Sequence, residues 1–462
     1  MVPSAGGPQG CPVPAGPPGL MRLNEPVRRS LLLIALALAA PGFLGCGSTT
    51  RAGERRPQPT ATRAAPTTST TIAASAPTAA VPVEPSPTAA VPVPALVAPS
   101  TAPAAPLPPA STPPVACPPG AGLSLHDQVA QLLMASVPFN RVEATVALTR
   151  DVHVGGIAFF GTPSADVQAD TARIRAGAPG PLPLLAVDEE GGRVQRLGEI
   201  LTPLPSARLM ATTDSPEEVR RLAREYATGM RRLGFDMDLA PILDVSVDGD
   251  GIIGDRSFGP DPNTVTQYGL AFTHGLQDGG VLPVVKHFPG HGRASGDSHD
   301  GTVRTPPISA LSSLDLLPFR AATADRVPAM MVGHLDVPGL TGGLPASLSP
   351  AAVDGLLRHD LGYDGLVMTD SLEMASVTQV APDAADAAER TIRAGSDVAL
   401  LPQSANVGAV ADQLTADVGS ARLPRADLDR ALRHVATAKA IVGDWPAPPA
   451  ASAVRGAPCG PG

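Results

Sequence analysis

Between Leu123 and Trp445 the chain repeats one pattern eight times: a short, almost continuous apolar run, then polar or amphipathic sequence. The runs are Leu132–Val137, Gly156–Phe160, Leu184–Val187, Met237–Leu243, Leu282–Val285, Ala329–Val332, Gly365–Met368 and Val398–Leu401. Runs this short, without polar alternation, suit strands buried on both faces, as in parallel sheets covered by helices. Helical patterns such as Pro216–Arg232 and Ala384–Ala394 lie between them, and Ser124-Leu125-His126-Asp127 opens the first helix with a capping-box-like pattern. Eight strands with intervening helices predict an α/β fold, a (β/α)8 TIM-type barrel formed as one domain over residues 119–445. An open doubly wound sheet is the competing arrangement, but no Gly-rich phosphate fingerprint follows any run.

The barrel reading makes its own test. Functional groups of such a fold collect where strands end, on the C-terminal face. The residues just after the runs include Asp188, Asp244, Lys286-His287, His334 and Asp370. Polar groups therefore converge where the architecture places a pocket.

The rest of the chain reads differently. Nearly half of the chain's 54 prolines crowd into its first quarter. Arg22, Arg28 and Arg29 precede an apolar stretch, Leu31–Ala40, which is too short to span a bilayer, where about 20 residues are needed. The segment ends in Phe43-Leu44-Gly45-Cys46, which resembles a lipobox and implies diacylation of Cys46. Residues 1–46 are thus expected to be an N-terminal extension and lipoprotein signal peptide, making the protein extracytoplasmic and membrane-anchored through its lipid, with simple secretion as the alternative. Residues 47–118 are Ala/Pro/Thr/Ser-rich and lack apolar periodicity, so they are expected to form a disordered tether. At ~3.1 Å per residue it would reach on the order of 200 Å. The Pro/Ala/Gly-rich tail, 446–462, is expected to be disordered too. Cys117 and Cys459 flank the folded region and either pair or stay free.

A net charge of −9, aromatics at 3% and the absence of any Lys/Arg run exclude a nucleic-acid-binding surface. Arginine replaces lysine almost everywhere; the two lysines are Lys286 and Lys439.

The densest chemical signal is KHFPGHGRASGDSHD at 286–300. His287, His291, His299 and Asp297 are competent metal ligands. Yet Pro289 between the first two histidines rules out the helical i,i+4 pairing of metalloproteases, and no cysteine is near. No metal and no cofactor are expected. An acid–base reading fits better: Asp297 and His299 stand two residues apart on a Gly/Ser-rich loop, and a carboxylate on one ring nitrogen orients a histidine and stabilises its cation. Capping a turn is the competing role for Asp297. The loop, Pro289–Gly301, is expected to be mobile until a ligand binds.

KHFPGHG followed by DSH resembles the signature of glycoside hydrolase family 3, in its single-domain β-N-acetylhexosaminidase branch. VDEEGGRVQRL at 187–197, DLAPILDV at 238–245, GDRSFG at 254–259, DLLPF at 315–319, PASLS at 345–349 and GLVMTDSLEM at 365–374 are similar in the same order. Glu189 departs from the Gln usual in that branch. The resemblance implies that Asp370 is the catalytic nucleophile, His299 the general acid/base and Asp297 its partner. It also implies that Asp188, Arg256, Lys286 and His287 hold the hydroxyls of the non-reducing sugar, with Met374 and His334 as pocket wall.

The implied activity is an exo-acting, retaining β-N-acetylglucosaminidase on peptidoglycan-derived or other GlcNAc-containing glycans, acting as a monomer. A β-glucosidase or a phosphorylase on the same scaffold, or a sugar-binding lipoprotein without catalysis, are the alternatives. Two-domain members of the family take their acid from a following domain. Only about 75 residues separate Asp370 from Trp445, enough to complete the barrel, so the acid is expected from the loop.

Overall fold

Eight parallel strands pair in the order β7-β6-β5-β4-β3-β2-β1-β8, where β1 is Leu133–Pro138, β2 Gly156–Phe160, β3 Leu184–Val187, β4 Met237–Asp238, β5 Leu282–Phe288, β6 Ala329–Val332, β7 Leu366–Thr369 and β8 Ala399–Leu401. The two ends of the sheet meet: Met368 bridges Val398, and the Thr369 N–H donates to the Val398 carbonyl at 3.1 Å. The sheet is a closed (β/α)8 barrel. This computed structural model describes residues 120–247, 251–298 and 300–443. The expected signal peptide, tether and tail, with Cys46, Cys117, Cys459 and His299, lie outside the described residues.

Most apolar runs coincide with strands to within a residue. Two differ. Met237–Leu243 is regular only at Met237–Asp238, because Pro241 has no N–H to give the ladder. The chain rejoins β5 as the Pro241 carbonyl accepts from the Lys286 N–H at 3.1 Å and the Leu243 N–H donates to the Lys286 carbonyl at 2.6 Å. β5 in turn runs on to Phe288, three residues past the apolar run, and carries Lys286 and His287 within a strand.

Alternation sorts each strand's side chains. Met134, Ala158, Ala186, Val284, Met331 and Met368 are among those filling the barrel interior, while Leu133, Ile157, Leu185, Val285, Met330 and Val367 face the helices. One more step of the same alternation carries Ala186 to Asp188, Val284 to Lys286 and Met368 to Asp370. The inward row thus changes from apolar to charged at the C-terminal mouth.

The helices are well specified locally. Ser215 and Glu218 form a capping box with Pro216 at the first position, and Arg231 and Arg232 occupy the last turn of Pro216–Arg232. That helix crosses Pro262–Asp278 closely: a Cβ on Gly275 would stand 2.4 Å from the Arg220 carbonyl oxygen. Helix Arg425–Val442 adds Val435, Ala438 and Val442 to the inner cluster. Its buried Lys439 Nζ donates to Gln131 Oε1 at 2.6 Å and the Leu182 carbonyl at 2.8 Å, just before β1 and β3. The two lysines therefore mark opposite ends of the barrel. Among the described residues no helix is long and apolar enough to cross a membrane.

Candidate active site

A cavity of about 230 Å3 opens at the C-terminal ends of the strands. Leu239, Met331, Leu400 and Phe160 supply apolar lining, and Asp188, Glu190, Arg256, Lys286, His287, Asp297, Asp370 and Met374 supply the residues with chemistry. A wider, open groove lies along helices Pro216–Arg232 and Pro262–Asp278, on the outside of the barrel, where Arg220 pairs with Asp278. The charge that converges without mutual exhaustion is in the barrel mouth.

Its centre is Lys286. The ammonium donates to Asp188 Oδ1 at 2.7 Å and lies 2.7 Å from Glu190 Oε1, with the side chain almost wholly buried. Burial favours the neutral amine, but Asp188 and Glu190 outweigh it and keep the group charged. Arg256 grips Glu190 with two parallel bonds, Nε to Oε2 at 2.7 Å and Nη2 to Oε1 at 2.8 Å. Burial alone would raise Glu190; Lys286 and Arg256 reverse that and hold it down at about 2.

Strand β5 places His287 beside Lys286. Its Nδ1 lies 2.7 Å from Asp244 Oδ2, and Asp244 also accepts the His291 N–H at 2.6 Å through Oδ1. Asp244 is fully buried, which works against ionisation, yet His287 and these donors hold its pKa below the usual range. An ionised carboxylate only accepts, so His287 carries its proton on Nδ1. That leaves Nε2 facing Asp370 Oδ2 at 3.9 Å.

Asp370 follows β7. Its Oδ1 accepts the Ser371 N–H at 2.7 Å. Burial pushes its pKa up, but His287 and its other neighbours prevail and keep it below the ordinary value, so it is a carboxylate at neutral pH. His334 supports this turn from behind: Nε2 lies 2.9 Å from the Ser371 carbonyl and Nδ1 2.6 Å from Ser347 Oγ. A carbonyl cannot donate, so Nε2 bears the proton, and burial lowers the pKa of the ring. His334 is therefore a support for the Asp370 turn rather than cavity wall, whereas Met374 does line the cavity.

The loop after β5 brings Asp297 into the cavity lining. Ser298 fastens it: Oγ donates to Met374 Sδ at 3.2 Å, and its carbonyl accepts the Ser376 N–H at 3.3 Å. The partner expected for Asp297, His299, is outside the described residues. Among those described, no group of three or more His, Cys, Asp or Glu is arranged to hold a metal ion.

With His334 the exception, every described residue expected to act at the site thus lines one cavity. Three functional positions were not singled out by sequence reasoning. Glu190 sat unremarked within the VDEEGG motif, where its adjacency to Asp188 was the available signal. Asp244 was recognised only as a strand-end acid, and His291 only as a possible metal ligand. The bond from Asp244 to both histidine segments spans strands, so no local pattern reveals it.

A family profile described as "Glycosyl hydrolase family 3 N terminal domain" matches residues 124–438. Beta-hexosaminidase LpqI of Mycobacterium tuberculosis is 46% identical over 326 residues, covering 69% of this chain and 83% of that protein. The crystal structure of a family 3 glycosyl hydrolase member from Mycobacterium smegmatis superposes with a TM-score of 0.65 at 43% identity, over 69% of this chain and 98% of the other. A family 3 β-N-acetylglucosaminidase from Paenibacillus sp. FPU-7 gives 0.65 at 34% identity, over 70% and 64%.

Proposed function

The chain belongs to glycosyl hydrolase family 3, and from that membership we propose that it is an exo-acting, retaining β-N-acetylglucosaminidase that removes terminal GlcNAc from peptidoglycan-derived or similar glycans. The observation that carries the reading is the geometry of Asp370. It is a carboxylate held by the Ser371 N–H, with Oδ2 beside His287 Nε2, in a cavity whose other walls present Asp188, Lys286 and Arg256. Such a cluster offers paired donors and acceptors to the hydroxyls of one sugar and a nucleophile at its edge.

Asp370 attacks the anomeric carbon while His299, oriented by Asp297, protonates the departing oxygen. Water activated by neutral His299 then releases the sugar with retained configuration, through oxocarbenium-like transition states on either side of a glycosyl-Asp370 intermediate. Anchoring through Cys46 holds the barrel outside the membrane near cell-wall glycans, which fits the substrate class.

Turnover of chromogenic β-GlcNAc and β-glucoside substrates, with and without phosphate, tests this in wild type, Asp370→Ala and His299→Ala. GlcNAc release that falls by more than about 10³-fold in Asp370→Ala is expected. A histidine acid does not repel an incoming anion as a carboxylate does, so formation of a sugar 1-phosphate would instead make the enzyme a phosphorylase. Absence of turnover on either sugar overturns the reading.

A further inference from the structure

Lys286 and Arg256 do not reach their places by the same route. Lys286 stands within β5, whose ladder fixes it. Arg256 stands on a single turn of 3-10 helix, Gly254–Arg256, in the segment after β4. Such a turn closes few backbone bonds: the Arg256 N–H donates to the Ile253 carbonyl at 3.0 Å and the Ser257 N–H to the Gly254 carbonyl at 3.3 Å. Yet the two parallel bonds to Glu190 require the guanidinium to lie in register with that carboxylate.

The turn is held from outside, by Arg208. This residue lies on the short helix Ala207–Thr213 and stands outside the cavity lining. Its Nε donates to the Ser257 carbonyl, and its Nη2 to the carbonyls of Ser246 and Gly254, each at 3.2 Å. One guanidinium thus ties both flanks of the segment to the turn. A planar fork with five donors suits acceptors that arrive from three separate points, as a single ammonium does not. The other end of the link is also fixed. The Gly192 N–H donates to the Leu204 carbonyl at 2.9 Å, and a Cβ on Gly191 or Gly192 would collide with Pro205 or Ser206. The start of the Arg208 helix is therefore pressed against the turn that follows Glu190. Arg193 reaches the same segment through Asp255, but from an exposed position where water competes.

We propose that Arg208 is a positioning residue: it sets Arg256 against Glu190 and so builds the sugar-binding wall of the cavity without touching the sugar. The proposal deepens the β-N-acetylglucosaminidase reading and rests on it. The contacts form a closed ring, from Glu190 through Pro205 and Ser206 to Arg208, on to Gly254 and Ser257, and through Arg256 back to Glu190. Removing Arg208 opens that ring at the link farthest from the sugar.

Calorimetric affinity for phenyl 1-thio-β-GlcNAc, a non-hydrolysable glycoside, tests this in the full chain as wild type, Arg208→Met, Arg256→Gln and the double variant. Arg208→Met is expected to weaken binding about tenfold in the wild-type background. In the Arg256→Gln background the same change should weaken it by less than about twofold, because its effect passes through Arg256. A general loosening of the fold acts in both backgrounds alike and gives the same factor twice. That result, or an affinity unchanged in Arg208→Met, overturns the proposal. Should the methionine variant fail to fold, Arg208→Lys runs the same cycle, with a smaller loss expected and again only where Arg256 is present. Turnover of 4-nitrophenyl β-GlcNAc by wild type, run in parallel, reports on the enzymatic reading separately. Binding without turnover removes that reading and leaves the cycle to decide on Arg208; a wild type that does not bind the thioglycoside overturns both.

Discussion

Replacing Glu189 with Gln should make the protein more stable at alkaline pH and leave it nearly unchanged in mild acid. Glu189 is completely buried behind the Asp188 and Glu190 clamp. Burial raises its pKa from an ordinary 4.5 to about 7, and the donors Tyr226, Arg196 N–H and Leu197 N–H offset only part of that. The groups facing it are Asp188 on its own turn, Asp238 on β4 and the Tyr226 hydroxyl from helix Pro216–Arg232. Asp238 donates nothing to it; its Oδ1 accepts the Glu189 N–H at 2.9 Å.

The folded protein holds this proton more tightly than the unfolded chain. The stabilisation is therefore full below pH 4.5 and is lost as pH rises through about 7. A shift from 4.5 to about 7 corresponds to about 3 kcal/mol in total, most of it lost between pH 5 and 8. Gln mimics the protonated acid: its carbonyl still accepts both N–H groups, and its amide can donate to Tyr226. Urea unfolding of wild type and Glu189→Gln at pH 5 and 8 gives the quantity directly. The stability difference should be about 2–3 kcal/mol more in favour of the variant at pH 8 than at pH 5. A difference that changes by less than about 0.5 kcal/mol would show that Glu189 is ionised throughout and the argument from burial is wrong.

Lys286→Met leaves Asp188 and Glu190 without their shared cation, so it should cost about 3 kcal/mol of stability at pH 7 by chemical denaturation. Lys286→Arg should fail to restore turnover, because a planar fork cannot replace a point charge 2.7 Å from two carboxylates. Asp244→Asn must turn its amide donor toward either the His287 Nδ1–H or the backbone N–H groups of His287 and His291, and should lower kcat by about 10²-fold while the secondary structure seen by circular dichroism is kept. Hydrogen exchange at Pro289–Gly301 should slow when a GlcNAc-derived inhibitor binds; equal exchange with and without inhibitor refutes a ligand-ordered loop.

Much of the fold was legible because burial on both faces leaves a signature that is local. A strand covered by a helix outside and by the barrel interior must be apolar throughout, so β2, β3 and β6 read directly as runs. The same logic failed at β4 and at the end of β5. Pro241 is apolar, so it extends a hydrophobic run, but it cannot donate and ends the regular ladder. Lys286 and His287 are polar, so they end a hydrophobic run, although the backbone continues as strand. At the site, the expected residues came from strand-end position and from motif resemblance. Glu190 escaped because what distinguishes it is whom it meets, Lys286 and Arg256.

What the sequence determined by itself was the alternation of strand and helix, the eightfold count and the charged residue waiting one step past each of several apolar runs. Those are consequences of chain-local chemistry: side-chain polarity, period and capping. Which charges neutralise one another was decided only by closing the barrel. Closure brings strand ends more than 180 residues apart, Asp188 and Asp370, to one mouth and sets Lys286 between two carboxylates. Coulomb energy and desolvation depend on distance through space. The same glutamate type therefore sits at about 2 at position 190 and at about 7 at position 189, and nothing in the adjacent letters could have told them apart.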